Sequence, residues 1–229
     1  MMMRRLIIMM CMLIVGVLPV SAQERDGYAI ALERIQIARA AGATQLDLSG
    51  LGLESIPNEL WELTQLQTLN LRNNVLSQLP PEIGSFAHLW HLYLDNNSLT
   101  TLPSEIGKLT ELVSLNLYNN QLSELPPEIG NLTDLTSLQL SGNQLTRLPT
   151  TLGELHYVQM PFLEDNPLIF PPAEIVRDSS EAVLDFLRHP QPYPPNGMSM
   201  QVVGTVLATL FSLVASAFVI LRYYRWRFE

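Results

Sequence analysis

The chain has 229 residues, 47% of them hydrophobic, a formal net charge of −9, and a single cysteine. That length holds one domain with attachments. The acidic balance argues against a nucleic-acid partner, which needs a basic footprint, and one cysteine excludes a disulfide-stapled scaffold. Between Gln23 and Gly197 there are eight Lys/Arg against 21 Asp/Glu. The simplest role of that excess is to keep a surface soluble.

The first stretch, MMMRRLIIMMCMLIVGVLPVSAQ, has a basic start (Arg4, Arg5), an apolar run from Leu6 to Val17 and small residues at Ser21-Ala22. This is the layout of a secretory signal peptide spanning residues 1–22, and its apolar run is short for a membrane span. Cys11 lies inside it, so cleavage leaves no cysteine and the folded chain must rely on its core. Residues 23–45 form an N-terminal cap, in which Ala31, Leu32, Ile35 and Ala38 recur at helical spacing over Glu24 to Ala41. Gly42 follows as a residue suited to ending that helix.

From Leu46 to Met160 one phrase is written five times at a period of 23 residues, as in LNLYNNQLSELPPEIGNLTDLTS, and a sixth copy starts as PFLEDNPLIFPP. The period and the L-x-L-x-x-N-x-L head are those of a leucine-rich repeat solenoid, an α/β fold. Residues 46–172 are assigned to it, with short parallel strands on the concave face and turns or short helices on the convex face. In L-x-L the leucines point inward and the residues between them outward. Asn74, Asn97, Asn120, Asn143 and Asn166 recur where the chain leaves each strand, and a buried amide there can satisfy backbone groups of two repeats. Leu51 replaces asparagine in the first copy. Pro57, Pro80, Pro103, Pro126, Pro149 and Pro172 restrict the convex side. Gly84, Gly107, Gly130 and Gly153 are expected to serve a tight bend.

The segment LPPEIGNLTDLTSLQLSGNQL, Leu125 to Leu145, resembles the 23-residue repeats of plant Ras-group-related leucine-rich repeat proteins and of scribble/erbin-type scaffolds. Similar arrays occur in bacterial leucine-rich repeat proteins. The resemblance implies the solenoid and a protein-binding role, but those scaffolds are intracellular and lack the segments found here at both ends. NPLIFPPAEIV followed by SEAVLDFLR looks like the helical end cap of such arrays, which places a C-terminal cap at 173–189. Val183, Leu184 and Leu187 should face the last repeat.

Residues 190–201 hold four closely spaced prolines and read as a semi-rigid spacer. Residues 202–221 carry no charge and are long enough to span a bilayer as a transmembrane helix. Arg222, Arg225 and Arg227 follow, so the tail 222–229 is expected in the cytoplasm and the solenoid outside, a single-pass type I arrangement in the cell membrane. Gly204, Ala208, Ser212 and Ser216 lie four apart, a stripe that would let two helices pair as a weak homodimer.

No catalytic constellation, phosphate loop or metal-ligand spacing stands out, and no cofactor is called for. His88 and His91 are expected to diverge. Function therefore falls to the outward strand residues. Asn70, Arg72, His91, Tyr93, Asp95, Asn116, Tyr118 and Gln139 form the candidate binding patch, and Tyr and Arg are frequent binding hot spots. Against this, Arg72 and Asp95 could simply pair across adjacent repeats. The expectation is a non-enzymatic, membrane-anchored protein that binds a protein or peptide for adhesion, ligand capture or a co-receptor role. The alternatives are a structural envelope spacer without a ligand, or a surface protein whose C-terminal helix is a processed sorting signal.

Overall fold

The computed structural model describes residues 26–158, 161–172, 175–176 and 180–189. The signal segment, the spacer, the 202–221 segment with its Gly204, Ala208, Ser212 and Ser216 stripe, and the basic tail lie outside the described residues. Among the described residues no helix is long and apolar enough to cross a membrane.

Six short strands make one parallel sheet in sequential order: β1 Gln45–Asp47, β2 Thr68–Asn70, β3 His91–Tyr93, β4 Ser114–Asn116, β5 Ser137–Gln139 and β6 Pro161–Phe162. The register is one repeat per strand, so Leu69 sits beside Leu92 and Leu92 beside Leu115. Each central leucine points into the core and is fully buried from β2 to β5. On the convex side a 3-10 turn follows each repeat's proline: Asn58–Glu62, Pro81–Ser85, Ser104–Lys108, Pro127–Asn131 and Thr150–Glu154. Ile83, Ile106 and Ile129, with Phe86, Leu109 and Leu132, close the core behind the sheet. A fully buried leucine contributes about 1.5–3 kcal/mol relative to exposure. Repeated in every copy, that burial holds together a core without cross-links.

Two ladders run along the solenoid. In the first, Asn97 donates from Nδ2 to the carbonyls of Leu71 (3.0 Å) and Leu94 (2.9 Å), while its Oδ1 accepts the Leu76 N–H at 3.1 Å. Asn120 and Asn143 repeat these bonds one and two copies on. At the N-terminal end Leu51 has no amide of its own, and Asn74 Oδ1 accepts the N–H groups of both Leu51 and Leu53.

The second ladder lies one residue earlier and goes beyond what the leucine code reveals. Asn73, Asn96, Asn119 and Asp165 have φ between +53° and +56°, and Gly50 and Gly142 have φ +68° and +71°. Only residue types that tolerate the left-handed region occupy this position. Its asparagines also bond side chain to side chain, Asn119 Nδ2 to Asn96 Oδ1 (2.9 Å) and Asn96 Nδ2 to Asn73 Oδ1 (3.0 Å).

The convex glycines need a different explanation from the one expected. None of Gly84, Gly107, Gly130 or Gly153 has a positive φ. Their role is close approach: a Cβ at Gly107 would stand 2.5 Å from Glu128 O, and one at Gly130 would stand 2.4 Å from Thr151 O. Glycine is kept because the next turn already fills that space. The first repeat has Trp61 at this position, its ring tilted 40° against that of Phe86 at 5.7 Å between centroids, and its turn stands off from the second while the later turns pack closely.

Both ends are covered by helices. Helix α1, Gly27–Ala41, starts at Asp26, whose carboxylate accepts the Tyr28 N–H, and stops at Gly42 in the left-handed region. It buries Ala31, Ile35 and Ala38, and Leu32 stays half-buried. Arg34 Nη1 donates to the Asp47 carbonyl at 2.8 Å, which ties the cap to β1. Helix α2, Ser180–Arg188, lays Val183, Leu184 and Leu187 in the core, and Arg188 Nε donates to Gly153 O. A cap of this kind covers apolar side chains that a further repeat would otherwise bury.

Candidate functional site

The concave face is built from three columns of outward residues, because a 23-residue offset places equivalent positions side by side. The first is Gln45, Thr68, His91, Ser114 and Ser137, and the second is Asp47, Asn70, Tyr93, Asn116, Gln139 and Phe162. The third, two residues beyond the second, is Ser49, Arg72, Asp95, Tyr118, Ser141 and Glu164. The backbone under these side chains is locked by the sheet and both ladders.

Four of the predicted site residues meet in one cluster. Arg72 holds its guanidinium 5.0 Å from the Tyr93 ring centroid and its Nε 3.3 Å from Asp95 Oδ1. His91 stacks beside Tyr93, with ring centroids 6.3 Å apart and planes 11° apart. Asp95 is buried at 8% exposure and also accepts from Asn96 Nδ2 at 3.2 Å. The Arg72–Asp95 pair across adjacent repeats therefore forms, and it leaves Arg72 in place against the tyrosine. His91 Nδ1 is buried and has no hydrogen-bond partner. His88, on the other side of the bend, bonds to Glu111 instead, together with the Trp90 indole N–H.

The remaining predicted residues divide by what their polar atoms already do. Asn70 Oδ1 accepts the Arg72 N–H (3.2 Å) and Asn116 Oδ1 accepts the Tyr118 N–H (3.0 Å). These amides close local turns that set the third column. Gln139 is half-buried in β5. Tyr118 is the open aromatic, 47% exposed.

Two carboxylates at the ends of the face lay outside the predicted patch. Glu164 accepts from Ser141 Oγ at 2.6 Å, and that bond holds its carboxyl below the ordinary range. For Asp47 burial acts to raise the value, but bonds from Ser49 and the nearby Arg34 and Arg72 outweigh it and the result is lowered. Both are ionised at neutral pH. The 23-residue offset from Ser141 to Glu164 was the available signal, and it pairs Arg72 with Asp95 in the same way. Among the described residues no group of three or more His, Cys, Asp or Glu could hold a metal ion.

With this geometry the comparisons agree. Residues 44–120 match the family described as "Leucine-rich repeat region", and residues 110–154 match "Leucine Rich repeats (2 copies)". The chain belongs to the leucine-rich repeat family. No curated protein matches it. Among solved structures it is 32% identical to a leucine-rich repeat protein of Leptospira interrogans, covering 60% of this chain and 46% of that one, with a TM-score of 0.42. It is 37% identical to the plant peptide hormone receptor RGFR1 in complex with RGF2, covering 50% and 19%, with a TM-score of 0.47. It is also 37% identical to the ectodomain of the Arabidopsis thaliana membrane receptor kinase GASSHO1/SCHENGEN3 in complex with Casparian strip integrity factor 2, covering 58% and 17%, with a TM-score of 0.53. The match thus spans about half of the Leptospira protein and under a fifth of either receptor.

Proposed function

We propose that the chain is a surface-displayed binding module whose concave face takes a protein or peptide, with residues 202–221 as its single membrane anchor and the solenoid outside. The observation that carries this is the concave face itself. Side chains of hot-spot type, Arg72, Tyr93 and Tyr118, stand on a backbone that two ladders hold fixed. Little ordering entropy is then lost when a partner binds. The fold shared with the receptor-kinase ectodomain, itself in complex with a ligand, supports the same use. The role is a non-enzymatic one: the face presents amides, hydroxyls, aromatics and single charges suited to contact with a partner. Among the described residues its hydroxyl–carboxylate pair, Ser141 with Glu164, has no third group to orient it as a catalytic set. Adhesion, ligand capture or a co-receptor role is the use that such a face supports.

The test is crosslinking at the surface of intact cells expressing the full chain, followed by identification of what is captured. The captured partner should be lost with Tyr93→Ala plus Tyr118→Ala while surface display, measured by antibody, is unchanged. Equal capture by the double variant rejects the concave face. Inaccessibility of the solenoid to protease added outside the cells rejects the topology.

A further inference from the structure

The Tyr93 cluster shows how this surface treats a cation: Arg72 lies against the ring and reaches the Asp95 carboxylate in the next repeat. Toward the C-terminal end the third column offers a ring and an acid of the same chemistry, with no cation from the described residues. Tyr118 leans over Gly142, where a Cβ would stand 3.7 Å from Tyr118 Cε2. The Gly142 N–H donates to Glu164 O at 3.0 Å, and Ser141 Oγ donates to the Glu164 carboxylate. Tyr118, Ser141 and Glu164 are therefore one continuous strip of aromatic ring, hydroxyl and acid.

Among the described residues no cation completes this strip. The third column holds no Lys or Arg besides Arg72, which is engaged at Tyr93. Arg147 lies over the Phe170 ring, Arg188 bonds to Gly153, and Lys108 is in a convex turn. Among the described residues Glu164 makes no ion pair. The serine bond holds its carboxyl below the ordinary carboxylate value. A negative charge with an open aromatic face beside it attracts a guanidinium or ammonium through both the ring quadrupole and the acid.

Resting on the binding role proposed above, we infer that Tyr118, Ser141 and Glu164 seat a cationic side chain, arginine in preference to lysine, of the segment that binds the concave face. Arginine is preferred because a planar guanidinium stacks on the ring while its N–H groups still reach the carboxylate. Arg72 makes that arrangement within the chain.

The experiment selects a displayed random peptide library on the full-length chain in detergent, then measures one enriched peptide by fluorescence anisotropy. Arginine should predominate at one position of the enriched peptides. Glu164→Gln, Tyr118→Leu and replacement of the peptide's arginine by citrulline should each weaken binding roughly three- to tenfold. Thermal unfolding midpoints of the two variants should match the parent. Enriched peptides without a basic residue, or arginine peptides insensitive to both substitutions, overturn the seat and leave concave-face binding standing. A selection that enriches no peptide overturns both.

Discussion

The two tyrosine centres of the concave face sit on the same frame and differ in one respect. At Tyr93 the ring, a cation and a buried acid all come from the chain, and the cluster is complete. At Tyr118 the ring and the acid are present, the ring is 47% exposed, and no described residue supplies a cation. The first centre is self-satisfied and lends stability to the sheet. The second is open, and its stability cost is small because Glu164 is solvated. Neighbouring columns of one face can therefore hold a tyrosine in a structural role in one repeat and in a binding role in another, depending on whether nearby repeats supply the cation.

Substitutions can break this comparison in descending order of effect. The largest removes the frame between the centres. Asn120 ties Leu94 O (3.0 Å) to Leu117 O (3.1 Å) and accepts the Leu99 N–H (3.0 Å). Asn120→Leu leaves those buried groups unpaired and should cost at least about 3 kcal/mol in denaturant unfolding, with loss of binding at both centres. Next, Arg72→Met strips the complete centre of its cation. Asp95 keeps only the Asn96 bond, and because the Arg72 side chain is 39% exposed the expected loss is about 1 kcal/mol.

By contrast, Glu164→Gln should leave the unfolding midpoint close to that of the parent, since among the described residues Glu164 makes no ion pair and a glutamine carbonyl can still accept the Ser141 hydroxyl. A loss as large as that of Arg72→Met would show that the two centres do not differ as described. The smallest effect is on acid stability. Glu164 ionises below its ordinary value of 4.5 in the folded chain. Its contribution is therefore present above that value and fades as pH falls through the lower folded value. Ser141→Ala should flatten that part of the stability profile, measured by urea titration at stepped pH.

Much of this was legible from a spacing of 23 residues. The leucine code gives the sheet and its register, and the recurring asparagines give the amide ladder, because both are single-residue roles that vary only in the terminal copies, at Leu51 and Pro161. The Arg72–Asp95 pair follows from the same offset. Three features were harder to read. The left-handed ladder is written in mixed letters, Gly50, Asn73, Asn96, Asn119, Gly142 and Asp165, which share a backbone tolerance and no side-chain chemistry. The convex glycines announce only that something small is required, and sequence does not say whether φ or a neighbour demands it. Whether Tyr118 is covered depends on the side-chain rotamers of adjacent repeats. The cation stacked on Tyr93 is hidden for the same reason.

Those convex glycines also set the shape of the surface a ligand meets. In any arc of stacked repeats the outer circumference exceeds the inner, and the excess per repeat fixes the bend. Glycine lets each outer turn nest against the next, so the excess is small and the inner surface opens into a broad, shallow trough. At the first junction Trp61 stands in place of that glycine, and the first two outer turns pack less closely there. Such a trough does not grip a globular body from two sides. It suits a chain laid flat along it, touching consecutive repeats one side chain at a time.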